Sequence, residues 1–322
     1  MKNFVRPLFA LALTAACTLT AAQPRFPDST IKLVVPFAAG GGVDSAARLI
    51  ARQMQSNLNV TVMVENKPGA NGSIGGKSVQ AAPADGYTLL FSASTHTLAR
   101  QVMANPPYDP LTDFAYVARV GEAPLLMVIS PQLAPNKLKD VIEAVRQNPS
   151  KWAAGLPALG AASHLATLMF AKQGGINLTT AVYKGTAPAV TDVAGGHAQI
   201  LIDSIISLQA MAKSGKVKPI VVTSATRSAV MPNVPTAAES GFPGFVATSW
   251  YGLWAPRNTP ADRIQFLNKA VNDAVRQLAR SGSFEALGIE PVTESVDEFR
   301  KFAAGYVTEN ADLLRGAGFT PE

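Results

Sequence analysis

Hydrophobic and polar positions along this chain change period in blocks, which is typical of strands followed by helices. Residues 31–35 form a β-branched apolar run that stops at Pro36. Three glycines, Gly40 to Gly42, come next, and apolar side chains then recur at helical spacing at Ala46, Leu49, Ile50 and Met54. The pattern predicts a strand, a glycine-rich turn and a helix.

The same alternation continues through the rest of the chain. It predicts further strands at 60–64, 87–92, 125–129, 181–183, 200–202, 220–223 and 250–254. It predicts helices at 73–82, 138–145, 163–171, 187–194, 264–278 and 296–314. Alternating strands and helices favour an α/β fold with a mostly parallel sheet. Because chains of this length usually form two domains, and a second glycine turn lies near Gly160, we expect two similar halves that face one another.

The N-terminal segment has the composition of an export signal. Lys2 and Arg6 precede an apolar stretch at 7–19, and small residues at 20–22 offer a cleavage site before Gln23. We expect residues 1–22 to be a signal peptide and the protein to be periplasmic. A retained anchor helix is the first alternative, although the stretch is shorter than the about 20 residues that span a membrane. A lipoprotein attached through Cys17 is the second, although Thr14 stands where a lipobox usually has Leu.

Composition narrows the class of partner. The chain is 48% hydrophobic and 16% charged, which is typical of a globular protein. Its net charge of +6 becomes +4 without Lys2 and Arg6. Because the basic residues are scattered, nucleic acid is not an expected partner, and the surface suits anionic solutes. Cleavage before Gln23 would also remove Cys17, the one cysteine, and with it all thiol chemistry.

The glycine turn at 40–42 is the candidate binding element. It brings backbone N–H groups to the N-terminus of a helix, where partial positive charge favours an anion. An exported protein with such a turn is more readily a solute receptor than an enzyme. The segment GANGSIGGKS at 69–78 imitates a phosphate-binding loop, but Asn71 occupies the place of the first glycine. We therefore interpret that segment as a turn before a short helix.

No local catalytic or metal-binding motif is present in the sequence. The three histidines, His96, His164 and His197, lie far apart, so we expect neither a metal nor a cofactor. A Ser-His-Asp set assembled from Ser163, His96 and Asp203 stays open, because such triads are recognised by geometry rather than by spacing. A secreted hydrolase is therefore one alternative function.

Two aspartates lie where ligands bind in α/β proteins. Asp44 follows the glycines, and we expect it to hold free N–H groups of the turn or helix rather than a ligand. Asp203 ends a predicted strand, the position at which such folds place ligands. Its carboxylate would repel an anion and pair with an ammonium group. It would therefore select ligands that also carry an amine, the alternative being a turn-forming role.

Motifs spread from residue 27 to residue 318 resemble the Bug family, the extracytoplasmic receptors of tripartite tricarboxylate transport systems. They are the segments PFxxGGxxD at 36–44, ENKPGA at 65–70, PADGYTL at 83–89, YKG at 183–185, GGH at 195–197, PxVPT at 232–236 and WxGLxAP at 250–256, together with Asp203. The resemblance covers essentially the whole mature chain, and the order and spacing of the motifs carry it.

The resemblance implies a periplasmic-binding-protein fold of type II, with two α/β domains joined by two crossovers around a ligand cleft. Residues 23–121 and 242–322 would form the first domain and 122–241 the second. It also implies a monomer that captures a small organic carboxylate or an amino acid by domain closure, without catalysis, and delivers it to membrane transporter subunits. The implied ligand contacts are Phe37, Ala38, Gly40, Gly41, Thr95, His96, Thr97, Gly160, Ala161, Ala162, Ser163, Thr186 and Asp203.

One segment departs from the family pattern. The second turn of this family usually reads Ser-x-Gly-x-Gly-Ser, whereas residues 156–161 here read Leu-Pro-Ala-Leu-Gly-Ala. Ala158 and Ala161 thus replace a glycine and a serine. We expect either a more apolar ligand at that end or a water in place of the hydroxyl group. A sensor subunit that presents its closed form to a membrane histidine kinase is the remaining alternative, since it would share the same binding chemistry.

Overall fold

β1 (Ile31–Val35), the glycine turn and α1 (Gly42–Leu58) form as the sequence predicts. The computed structural model describes residues 26–322, so the predicted signal peptide and Cys17 lie outside the described residues. The β-branched residues of β1 are buried and pair with parallel neighbours on both sides. The apolar face of α1 covers this sheet with Ala46, Ala47, Ile50 and Met54.

The first sheet combines parallel and antiparallel strands. Its order is β2-β1-β3-β9-β4, and β10 adds to β4. β2 and β3 run parallel to β1, whereas β9 is antiparallel to both β3 and β4. The strands are β2 (Val62–Asn66), β3 (Thr88–Ala93), β4 (Phe114–Ile129), β9 (Thr248–Pro256) and β10 (Glu290–Pro291).

The second sheet shares β4 with the first. Up to Pro124 this strand pairs with β9, and from Leu125 it pairs with β7 and β8. β5 then lies between β7 and β6, parallel to both. The other strands of this sheet are β5 (Ala153–Leu156), β6 (Thr179–Val182), β7 (Ile200–Ser204) and β8 (Lys218–Val222). We call each sheet with its helices a lobe; the predicted domain boundaries stay a prediction.

The predicted helices form with shifted ends. They are α2 (Ser73–Gln80), α4 (Leu138–Gln147), α5 (Ala162–Gly174), α6 (Thr186–Gly195), α8 (Ala261–Arg280) and α10 (Val296–Gly316). Three further helices were not predicted: α3 (Ala99–Val102), α7 (Ile205–Lys213) and α9 (Ser283–Leu287). None of the helices within residues 26–322 is both long and apolar enough to cross a membrane.

One predicted strand was wrong in extent, and one long helix was not predicted. The strand predicted at 125–129 is the second part of the 16-residue β4. Pro124 conceals this, because proline donates no ladder hydrogen bond and normally marks the end of a strand. Helix α7 was missed altogether, since the apolar run at 200–208 has neither a clear strand period nor a clear helical period.

Candidate functional site

The first turn, residues 36–41, leads from β1 into α1 and is held by an aspartate. Gly40 has a φ of +85°, which glycine adopts without strain. Its N–H group donates to Asp44 Oδ2 at 3.0 Å. Arg48 Nε donates to the same oxygen at 3.0 Å, and Asn66 Nδ2 donates to Asp44 Oδ1 at 3.0 Å. Burial raises the pKa of the Asp44 carboxyl group, but these hydrogen bonds outweigh burial and hold the pKa below its ordinary value.

The second turn, residues 156–161, leads from β5 into α5 and is held by a histidine. Gly160 has a φ of +70°, and its N–H group donates to His164 Nδ1 at 3.1 Å. Burial lowers the pKa of His164 to about 4, so the ring is neutral at neutral pH. The ring packs edge-on against Phe319 with centroids 5.0 Å apart. Because Nδ1 accepts the hydrogen bond from Gly160, the one proton of the neutral ring is on Nε2.

Two further helices begin at the same place. Gly185, with a φ of +128°, immediately precedes α6, which begins at Thr186. At the end of β7, the Ser204 hydroxyl group caps α7 by accepting from Ile206 N–H at 3.4 Å. Tyr251 Oη donates in turn to Ser204 Oγ at 2.7 Å. The N-termini of α6 and α7, which follow strands of the second sheet, thus lie next to the first turn.

These four helix starts surround one cleft between the two lobes, with an empty volume of about 470 Å³. Its walls include eight of the predicted contacts: Phe37, Ala38, Gly41, Thr95, Ala161, Ala162, Thr186 and Asp203. Orphan N–H groups at helix N-termini carry partial positive charge. Within the described part of the chain no lysine or arginine lines this cleft. The partial positive charge that it offers an anion therefore comes from backbone N–H groups.

Asp203 is the carboxylate of the cleft that has no basic partner among residues 26–322. It is 8% exposed and accepts a hydrogen bond of 2.5 Å from Thr186 Oγ1. Burial raises its pKa to about 6, although bonds from Thr186 and from Ser204 N–H oppose the shift. Asp44 also lines the cleft, but Arg48 neutralises it. Asp203 thus brings the negative charge that a ligand would meet.

Five predicted contacts do not line the cleft. Gly40 and Gly160 hold the two turns, and Thr97 Oγ1 donates to the Ser94 carbonyl group at 2.7 Å. Ser163 is fully buried at the start of α5. His96 lies among Tyr108, Phe114 and Trp254, and burial lowers its pKa to about 3. Their assignment as ligand contacts stays a prediction.

The alternative triad is not assembled in the described structure. Asp203 is bonded to Thr186, and His96 is enclosed by aromatic rings. No hydrogen bond joins Ser163, His96 and Asp203 within residues 26–322. A nucleophile and its base must be within hydrogen-bond reach, and this arrangement does not provide it.

Several cleft residues were missed by sequence reasoning. Gly42 was predicted as part of the glycine turn but not as a ligand contact; it lines the cleft, and a Cβ there would lie 2.7 Å from Ser207 Oγ and 3.3 Å from Tyr251 Oη. The run of three glycines in the sequence indicated that position. Three further cleft residues had no such indication in the sequence, because two lie in an apolar strand and one in a helix that was not predicted: Ser249, Tyr251 and Ser207.

Comparison with known proteins identifies the class of receptor to which this chain is similar. The family model for the tripartite tricarboxylate transporter family receptor matches residues 46–319. The periplasmic binding protein BugD is 35% identical and superposes with a TM-score of 0.87, covering 92% of this chain and 100% of BugD.

Two solved relatives contain a ligand. Rpa4515 from R. palustris with adipate is 30% identical with a TM-score of 0.89, covering 92% of this chain and 100% of that one. MatC from Rhodopseudomonas palustris with bound malate is 31% identical with a TM-score of 0.84, covering 90% of this chain and 100% of that one. The predicted fold, α/β of the periplasmic-binding-protein type, is confirmed.

Proposed function

The chain belongs to the tripartite tricarboxylate transporter receptor family, and from that premise we propose that it is a periplasmic receptor which captures a small carboxylate and delivers it to membrane transporter subunits. The periplasmic location of its relative BugD and the export signal predicted at residues 1–22 support the compartment. The carboxylates bound by Rpa4515 and MatC support the ligand class.

The convergence of four helix N-termini on one cleft carries this proposal. α1, α5, α6 and α7 all begin at its walls, so backbone N–H groups and helix dipoles provide the stabilisation for a carboxylate. Each dipole contributes about 0.3–1 kcal/mol at an exposed site and more in a buried one. Binding by backbone groups explains why a receptor for anions lacks an arginine clamp here.

Asp203 narrows the ligand to carboxylates that also carry a hydrogen-bond donor. A buried carboxylate without a basic partner repels a second anion and is stabilised by an ammonium or hydroxyl group. Malate, the ligand of MatC, has such a hydroxyl group beside one carboxylate, whereas adipate has none. We therefore expect 2-hydroxy or 2-amino acids to bind more tightly than their unsubstituted analogues.

Binding without turnover is part of the proposal. The separation of Ser163, His96 and Asp203 by unrelated contacts argues against a hydrolase. BugD is a periplasmic binding protein, and Rpa4515 and MatC have adipate and malate bound. A receptor returns its ligand unchanged, so mass spectrometry of the recovered ligand separates the two functions.

The test is calorimetry at pH 8 with the matched pairs malate and succinate, aspartate and succinate, and lactate and propionate. At this pH Asp203, with its pKa near 6, is ionised. We expect the substituted member of a bound pair to bind more tightly in the wild type. In Asp203→Asn that preference falls about tenfold or more, the size of one hydrogen bond to a charged group.

The control is Asp297→Asn, an exposed aspartate in the first turn of α10. It leaves the preference unchanged. A wild-type protein that binds none of these acids contradicts the receptor proposal. One that binds them while Asp203→Asn keeps the preference contradicts only the role of Asp203. A ligand that returns chemically altered supports the hydrolase.

A further inference from the structure

Two hydrogen bonds join the lobes at one edge of the cleft. Asn71 lies in the loop between β2 and α2, and Leu159 lies in the second turn, on the other lobe. Asn71 Nδ2 donates to the Leu159 carbonyl oxygen at 2.9 Å, and Leu159 N–H donates to Asn71 Oδ1 at 2.7 Å. One amide side chain thus satisfies both backbone groups of a residue 88 positions away.

The loop that carries Asn71 is held in an uncommon conformation. Ala70 and Asn71 have φ values of 43° and 54°, between Gly69 at 124° and Gly72 at 85°. Non-glycine residues enter this left-handed region rarely, asparagine more readily than most. Such a conformation persists where its surroundings require it. Here it directs the Asn71 amide across to Leu159.

Asn71 and Leu159 lie beside the cleft and not in its walls. Both line an adjoining cavity with an empty volume of about 350 Å³. That cavity shares Phe37, Pro157 and Ala158 with the cleft. At its other side Ala38 N–H donates to the Lys184 carbonyl oxygen at 3.3 Å. The lobes cannot part here until these bonds break.

We propose that Asn71 is a clasp that holds the lobes together over the ligand and so determines the affinity for every ligand without touching any of them. This inference rests on the proposed function, since a clasp affects affinity only where closure captures a solute. The fraction of closed protein multiplies the intrinsic affinity for each ligand by the same factor. The clasp therefore determines the affinity common to all ligands, and Asp203 determines the preference for 2-hydroxy or 2-amino acids over their unsubstituted analogues.

The decisive variant is Asn71→Gly, which removes the amide while glycine keeps the left-handed backbone. Two hydrogen bonds of typical net strength correspond to about a thirtyfold change in the closing equilibrium. We expect malate, aspartate and adipate, where the wild type binds them, to weaken by one common factor of up to about thirty. Stopped-flow dissociation becomes correspondingly faster. Small-angle scattering of the ligand-free variant shifts towards a more open form.

The matched control is Asn59→Gly. Asn59 also has a left-handed φ, 55°, but it ends α1 on the exposed surface of one lobe. It should leave affinity and scattering unchanged. Wild-type affinity and dissociation rate in Asn71→Gly overturn the clasp, and so does a loss confined to one ligand, which would show direct ligand contact. If the wild type binds none of the three acids, the proposed function fails, and an unchanged scattering profile of ligand-free Asn71→Gly then overturns the clasp separately.

Discussion

The two glycine turns that face each other across the cleft follow one construction with different chemistry. In each, the N–H group of a glycine with positive φ donates to the side chain four residues later, in the first turn of the following helix. Gly40 donates to the charged carboxylate of Asp44, and Gly160 donates to the neutral ring of His164. The same backbone geometry therefore has an acidic anchor in one lobe and a basic, uncharged anchor in the other.

The two anchoring side chains, Asp44 and His164, differ in how many contacts hold them in place. Asp44 belongs to a network with Arg48 and Asn66, so it fixes the turn to α1 and β2 together. Within the described residues His164 has one side-chain hydrogen bond, and its ring is positioned by packing against Phe319 in the C-terminal segment. A carboxylate near a helix N-terminus also interacts favourably with the dipole, which a neutral imidazole does not. We expect the first turn to be the stronger of the two.

Asp44→Ala is the change expected to have the largest effect. It removes the acceptor for Gly40, Arg48 and Asn66, so the free energy of unfolding should fall by about 3 kcal/mol in urea denaturation at pH 8. Asp297→Ala, in the first turn of α10 with an exposed side chain, is the control and should cost little. Equal losses in the two variants would show that the network adds nothing beyond a helix-dipole effect.

His164→Phe should cost less, about 2 kcal/mol at pH 8. The new ring keeps the packing against Phe319, and the loss comes from the buried Gly160 N–H group that is left without an acceptor. Urea denaturation measures it against the wild type. A variant as stable as the wild type would mean that packing alone holds the second turn.

The cost of His164→Phe should also disappear on acidification. The pKa of His164 is about 4 in the folded protein and 6.5 in the unfolded chain, so the unfolded chain binds more protons as pH falls below 6.5. The wild type therefore loses about 2 kcal/mol through this residue between pH 8 and pH 5. The two unfolding curves should converge near pH 5. The cost of Asp44→Ala should stay constant over that range, because the lowered pKa of Asp44 keeps its contribution until pH falls below 3.8.

The smallest expected effect comes from the residue before each helix. Ala161 and Gly41 are the N-cap residues of α5 and α1, and neither provides a side-chain acceptor. Ala161→Ser should raise the free energy of unfolding by about 1 kcal/mol, whereas Gly41→Ser should raise it by only a few tenths, because glycine is already a tolerable N-cap. Thermal unfolding of both variants checks this order. A larger gain in stability from Gly41→Ser than from Ala161→Ser would contradict our expectation that the first turn is the stronger of the two.

Part of the cleft could be read from local sequence. The strand, three glycines and helix at 31–54 predict a turn with free N–H groups, and Gly41 of that turn lies on the cleft wall. Phe37 and Ala38, which the family resemblance implies as contacts, lie on the same wall. Asp203 follows from the end of a strand, and Thr186 and Ala161 from the family resemblance. Tyr251 and Ser249 could not be found in this way. They belong to a buried strand whose side chains show no polar period, and only the pairing of that strand directs them to the cleft.

The sequence by itself determined the order and type of most elements, because strand and helix periods depend on residues close together in the chain. It also indicated two glycine turns, near Gly40 and Gly160, whose positive φ values the structure then shows. The tertiary structure alone decided that β4 serves two sheets through Pro124, that four helix N-termini meet at one cleft, and that Asn71 reaches Leu159. These features depend on contacts between residues that are distant in sequence, and no local pattern specifies such pairings.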